Sequence, residues 1–358
     1  MTFKKLELQN FRNFENEVLE FCDGMNIIFG QNAQGKTNIL ESLWLFTGAK
    51  SFRGAKDSEL KKFGCEKARI KLTFFDDGRE QDCVIDIEKS RTATLNGVEQ
   101  GLASAIAGKV YAIVFSPNDL NIIKDGPQFR RKFMDTCLCQ LYPKYISISR
   151  RYLKALDQRN SILKNLKFNP NMEEFIEDFE KELAVTGSEI INYRKKYIEA
   201  INKYLPEIYC GLSDGKEEIS AEYETTAGEN EQDFLNALKN SRKEDIQTQT
   251  TSVGPHRDDL NIKINGISAR AFGSQGQKRS AALALKLSES AVINEITGKI
   301  PVALLDDVMS ELDTTRQNYI LNHIKGRQVF LTCCDIANTQ GLLDGKIFKI
   351  ENGKLIDG

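Results

Sequence analysis

Over the first 117 or so residues, apolar and polar positions alternate like strands. Phe3-Lys-Lys-Leu-Glu-Leu8, Ala68-Arg-Ile-Lys-Leu-Thr-Phe-Phe75 and Cys83-Val-Ile-Asp-Ile87 each predict a strand, and Val110 to Phe115 adds a short apolar one. Asp76-Asp-Gly78 and Asn96-Gly97 supply turn signals between them. Met25-Asn-Ile-Ile-Phe29 predicts a short buried strand, and Asn38 to Phe46 a helix with Ile39, Leu40, Leu43 and Phe46 on one face. From about Asp119 to Ile208 the pattern becomes helical, with long charged stretches and few glycines. Leu166-Lys-Phe-Asn-Pro170 predicts the turn between two long helices.

Gly211 to Asn230 is polar and dotted with glycine, a loop with one short strand near Ile219 to Tyr223. A further short helix is expected from Gln232 to Asn240. After about Gln249 the strand texture returns. The simplest architecture is therefore α/β: one lobe built from residues 1–118 and 249–358, interrupted by a mainly helical lobe over 119–248. No internal repeat is visible.

Composition narrows the class without choosing a function. The chain has 358 residues, 41% of them hydrophobic and 28% charged, which fits a globular protein of one or two domains. A formal net charge of −2 leaves room for a local basic patch. The first residues enter a strand pattern directly, so no leader is expected, and the longest apolar runs are too short to span a bilayer. The eight cysteines form no C-x-x-C pair, so buried free thiols in a reducing cytoplasm are expected rather than a zinc site or disulfides.

The sharpest chemical signal is Gly30-Gln31-Asn32-Ala33-Gln34-Gly35-Lys36-Thr37, which fits G-x-x-x-x-G-K-[ST] between a predicted strand and a predicted helix. Such a loop points backbone N–H groups at phosphates. Lys36 is expected to reach the β- and γ-phosphates of ATP and Thr37 to bind Mg²⁺. Pro301-Val-Ala-Leu-Leu-Asp306-Asp307 supplies the complement, because a continuous apolar run marks a strand buried on both faces of a parallel sheet. Asp306 at its carboxyl end is expected on the Mg²⁺ side, and Asp307 as the base that activates water. Phe272-Gly-Ser274-Gln-Gly276-Gln277 precedes a strong helix former, Lys278 to Leu287. Ser274 reads either as a plain N-cap or as part of a second anion-binding helix start. A chain with its own P-loop gains from a second cradle if Ser274 and Gly276 address the nucleotide of a second subunit, as in ATP-binding-cassette ATPases. Ser310-Glu-Leu-Asp313 is similar to the segment that crosses that interface in those enzymes.

Five segments in order resemble the RecF family, relatives of the chromosome-maintenance (SMC) ATPases. They are Leu8-Gln-Asn-Phe-Arg12-Asn-Phe14; Pro117-Asn-Asp-Leu with Gly126-Pro-Gln-Phe-Arg130-Arg131-Lys-Phe-Met-Asp135; Gly254-Pro-His256-Arg257-Asp-Asp259-Leu; Gly273 to Gln277; and Leu305 to Asp313. The resemblance implies an ABC-type ATPase lobe with an inserted helical lobe, and an ATP-dependent homodimer on DNA. It implies work with RecO and RecR in loading RecA at single-strand gaps, in replication restart and in SOS induction, in the cytoplasm. It also implies slow, DNA-stimulated hydrolysis and a place for Arg12 at the nucleotide phosphates, although an exposed surface arginine fits that position too.

The chain departs from the cassette pattern in several places. Gln275 stands where the first glycine of Ser-Gly-Gly-Gln is usual, and Asp307 where glutamate is usual. Asn118 is the candidate for sensing the γ-phosphate, and Thr332 or Cys333 stands where a switch histidine is expected. His256 and Arg257 either contact DNA or buttress the lobe through Asp258 and Asp259. Between Lys124 and Lys167 basic residues are opposed only by Asp125, Asp135 and Asp157. Arg130, Arg131, Arg150 and Arg151 are therefore the candidate contacts to a DNA backbone. A transporter ATPase subunit shares the phosphate motifs, but the helical insertion and the Asp-Asp pair count against it. A small-molecule kinase would have no use for a Ser274 that acts in trans.

Overall fold

Period-two patterning yields a six-stranded antiparallel sheet in the order β2-β1-β4-β5-β6-β7, formed by β1 (Thr2–Gln9), β2 (Asn16–Glu20), β4 (Ala68–Asp76), β5 (Arg79–Ile87), β6 (Arg91–Leu95) and β7 (Val98–Leu102). The coordinates are a computed structural model that describes residues 1–357 except 167, 214, 216, 229 and 335–344. Both turn signals close hairpins. Asp77 and Gly78 have φ of 50° and 77°, and Asn96 and Gly97 have 49° and 79°, the paired left-handed geometry that matches strand twist.

The continuous apolar runs form a second sheet, ordered β15-β14-β3-β13-β12-β8. Its strands are β3 (Met25–Phe29), β8 (Ala112–Phe115), β12 (Val302–Leu305), β13 (Val329–Cys333), β14 (Lys346–Glu351) and β15 (Lys354–Asp357). All neighbours are parallel except β14 and β15. Every residue of β8 and β12 is buried, as a parallel strand covered on both faces requires. The carboxyl ends of β3, β13 and β12 lie side by side, with β13 in the middle.

Helix α1 (Lys36–Leu45) packs between the two sheets. Ile39, Leu40, Leu43 and Trp44 share one core with Leu6 and Ile70 of the first sheet and with Ile28 and Phe330 of the second. Sequence pattern predicts a single buried face, yet Glu41 and Ser42 are also buried. The reason is tertiary: a second sheet covers the face that would otherwise meet solvent.

The chain between β8 and β12 supplies α2 (Asn121–Lys124), α3 (Pro127–Leu141), α4 (Pro143–Asn165), α5 (Ile176–Leu212) and α6 (Glu231–Thr248). It continues with α7 (Ala269–Phe272) and α8 (Gln275–Thr297), and α9 (Thr314–His323) follows β12. Helix α6 is longer than the span expected from 232 to 240. A small sheet in the order β11-β10-β9 packs with these helices, made of β9 (Ile219–Glu224), β10 (Asp259–Ile264) and β11 (Ile267–Ser268). The β9–β10 pairing joins residues on either side of the expected boundary at 248/249. Cys83 and Cys137 are buried as expected, whereas Cys210 and Cys334 are exposed. No helix among the described residues is long and apolar enough to cross a membrane.

Candidate nucleotide site

Loop 30–37 leaves the carboxyl end of β3 and runs into the N-terminus of α1, whose N-cap, Gly35, provides no side-chain cap. The uncapped first turn leaves backbone N–H groups free to bind an anion. Gly35 has φ 117°, and a Cβ there would come 2.7 Å from Asn13 Nδ2. At Gly30 a Cβ would collide with the Ile350 carbonyl. Both glycines are thus required by the path of the chain. Asn13 holds the loop from outside: its Nδ2 donates to Gln34 O at 2.8 Å, and its Oδ1 accepts from Asn38 Nδ2 at 2.8 Å. The Asn352 N–H also donates to Gln34 Oε1.

Lys36 is 5% exposed. Its ammonium lies inside the loop, donating to Gly30 O at 2.7 Å and to Gln31 O at 3.0 Å. Thr37 Oγ1 donates to Asp306 Oδ1 at 2.7 Å, joining residues 269 apart in sequence. Thr332 Oγ1 donates to the same carboxylate oxygen at 3.1 Å and accepts from the Asp307 N–H at 2.9 Å. Burial pushes the Asp306 carboxyl above its usual range, against the hydrogen bonds from Thr37 and Thr332, and the neighbouring Asp307 charge adds to the rise. Thr37 and Asp306 thus offer a hydroxyl and a carboxylate together at the strand ends, a donor set suited to a small, hard cation.

Ser274 is an exposed N-cap for α8. Its hydroxyl accepts from the Gln277 N–H at 3.1 Å, while the Ser274 N–H donates to Gln277 Oε1 at 2.7 Å, a reciprocal capping box. The plain N-cap role is therefore realised, and exposure leaves this helix start accessible. Among the described residues no hydrogen bond joins Ser274 or Gly276 to loop 30–37. The 310–313 segment does lie beside α8: Arg279 Nη1 donates to Glu311 O at 2.6 Å, and Arg316 Nε to Ser280 Oγ at 3.0 Å.

Two of the expected site residues are held by carboxylates within the fold. Arg12, expected at the phosphates, instead grips the fully buried Glu41 through Nε and Nη2, both at 2.8 Å, and donates to Glu59 O at 2.7 Å. It ties the β1–β2 turn to α1, since a buried carboxylate needs a charged partner. Arg130, expected on a DNA-facing surface, is 3% exposed and makes a bidentate pair with Asp259 at 2.6 and 2.8 Å. Its partner lies 129 residues away, so no local count of charges could reveal it. Of the other candidates, Arg131 is half-buried and donates to Asp258 O. Arg150 and Arg151 are exposed, with partners Ser104 and Glu182.

His256 is held between Tyr152 Oη at 2.6 Å and Thr251 O at 2.9 Å, and burial lowers its pKa, so it stands as a neutral buttress. Arg257 donates to Thr251 O at 3.2 Å. Sequence reading missed Arg53, which donates to Asn38 Oδ1 at 2.9 Å and lies 3.8 Å from Glu41. Its charge also favours ionised Asp306. Position alone gave it no signal, because Ser-Phe-Arg-Gly fits any loop.

Comparison with known proteins identifies the family. The RecF/RecN/SMC N terminal domain family matches residues 2–340. The chain is 40% identical over 362 aligned positions to the DNA replication and repair protein RecF of Lachnoclostridium phytofermentans, covering 100% of each chain. It is also 40% identical to RecF of Clostridium perfringens strain SM101, with 99% of each covered. A solved structure of the recombination mediator protein RecF-ATPrS in the RecFOR pathway superposes with a TM-score of 0.92 at 38% identity, covering 99% of this chain and 97% of that one. The family match, full-length identity and superposition together place the chain in the RecF family, within the RecF/RecN/SMC N-terminal-domain group.

Proposed function

We propose that this chain is an ATP-driven, DNA-binding switch of replication and recombinational repair, closing as a homodimer when ATP binds. The observation that carries this reading is the Thr37–Asp306 hydrogen bond, which unites the P-loop with the acidic strand end. Thr37 and Asp306 would hold Mg²⁺, whose chemistry is to neutralise and orient the phosphates. Loop 30–37 would cradle the phosphates, Lys36 would bind their charge, and Asp307 would orient and deprotonate water. Solved relatives are RecF-ATPrS and RecF-ATP in the RecFOR pathway, which supports ATP as the ligand and DNA, RecO and RecR as partners. By the same kinship the chain would assist RecA loading at DNA gaps and act in replication and SOS induction, in the cytoplasm. No feature favours a transporter.

Lys36→Ala is expected to lower ATP affinity by about 100-fold or more, since a charge-assisted contact to phosphate disappears from a buried loop. Titration with a fluorescent ATP analogue measures this, with circular dichroism as a check of fold. Unchanged affinity in a folded variant would remove the phosphate assignment.

Dimerisation tests the whole reading. Ser274 lies exposed at the start of α8 beside Phe272, which is 77% exposed. The expected result by light scattering is a monomer in ADP and a dimer in ATP, with salt-sensitive binding of duplex DNA by the ATP form. Ser274→Arg should keep ATP binding and lose the dimer. A single mass in every nucleotide state would overturn the switch.

A further inference from the structure

Thr332 occupies a place that neither the phosphate loop nor the acidic pair explains. It is the penultimate residue of β13, the middle strand of three whose carboxyl ends form the site, between β3 and β12. It is 1% exposed, so water cannot replace its hydroxyl. That hydroxyl has one proton and two lone pairs. The proton points to Asp306 Oδ1 at 3.1 Å; the other acceptor in range, Leu305 O, is farther at 3.5 Å and neutral. A lone pair receives the Asp307 N–H at 2.9 Å. Asp307 is one of few non-glycine residues with positive φ, 51°, a conformation that persists when its surroundings hold it.

We propose that the Thr332 hydroxyl is the positioning group of the acidic pair: one oxygen aims the Asp306 carboxylate at Thr37 and pins the left-handed backbone that presents Asp307. It is not a switch that reads the γ-phosphate, because phosphate oxygens only accept and its single proton is already committed to Asp306. The inference rests on the proposed ATP site for its consequence, but not for its geometry. Thr332 touches neither ligand nor water in this role. It acts through two residues that do.

The test compares Thr332→Val, which keeps the shape and removes the hydroxyl, with Thr332→Ser, which keeps the hydroxyl. In nucleotide-free protein, hydrogen exchange at the Asp307 amide is expected to speed up at least 10-fold in Thr332→Val and to stay near the parent rate in Thr332→Ser. Mg²⁺-dependent tightening of ATP binding should weaken several-fold in the valine variant, while binding measured in EDTA stays unchanged. The turnover rate should fall by about 10- to 100-fold with a smaller change in KM, the range that misplacement of a reacting group produces. Serine should restore all three. Thr332→Cys, a near-isostere with a weak donor, replaces valine if that variant does not fold, and should fall between the two. Parent-like exchange of the Asp307 amide in the valine variant would overturn the proposal. A parent protein that binds no ATP would overturn the proposed function instead, while the exchange measurement would still decide the role of Thr332.

Discussion

An Asp307→Asn protein is expected to bind ATP about as well as the parent and to turn it over about 10²- to 10⁴-fold more slowly, the usual cost of removing a general base. That range corresponds to about 3–5 kcal/mol of barrier. The substitution is a clean one here. Asp307 has φ 51°, and asparagine is among the few residues that tolerate that region, so the backbone and the Thr332 hydrogen bond should persist. Binding should be spared for an electrostatic reason: the Asp307 charge opposes ionisation of Asp306, so its loss leaves Asp306 the better anion. Asp306→Asn should behave differently, weakening Mg²⁺-dependent binding and turnover together, because Asp306 faces Thr37. Single-turnover hydrolysis with parallel binding titrations separates the two variants. Parent-rate hydrolysis by Asp307→Asn, or loss of Mg²⁺-dependent binding in it alone, would reverse the assignment.

The second large effect lies in the helical lobe. Arg159 on α4, Glu180 on α5 and Asp245 on α6 are all fully buried. Arg159 donates to Asp245 Oδ2 at 2.8 Å, to Thr251 Oγ1 at 2.8 Å and to Glu180 Oε1 at 3.0 Å. Arg159→Met is expected to destabilise this lobe by about 3–5 kcal/mol, because it leaves buried carboxylates without their cation. Glu180 would still receive Arg242, at 3.1 Å to Oε1, so the larger share falls on Asp245. Adding Asp245→Asn should then recover part of the loss, since a neutral amide costs less to bury than an unpaired charge. Urea unfolding followed by tyrosine fluorescence, with hydrogen exchange to assign the change to this lobe, measures both proteins. A double variant less stable than the single one would contradict the argument.

The same arginine shows where one-dimensional reading stops. In sequence, Arg130 and Arg159 lie in the basic stretch from Lys124 to Lys167, and Arg194 in the helical pattern that runs to Ile208. In the structure each is nearly or fully buried and holds a carboxylate from elsewhere: Asp259, Asp245 with Glu180, and Asp135. Helical periodicity states that a residue lies on a helix, but which faces are covered depends on what packs there. Arg150 and Arg151 stay exposed and remain the basic insert's candidates for a DNA backbone.

Local chemistry settled much of this protein without a fold. The turns at Asp77-Gly78 and Asn96-Gly97, the glycine-rich strand-to-helix loop at 30–37, the buried strand that leads into Asp306 and the Ser274 N-cap were legible because each depends on neighbours within about ten residues. Tertiary structure alone decided the rest. It set Thr332 between the two aspartates, turned Arg12 to Glu41 and Arg130 to Asp259, and covered the second face of α1. The physical reason is the same in each case. Backbone propensity and turn geometry act over short stretches of chain, whereas burial and the pairing of charges depend on which distant segments the sheet order brings together.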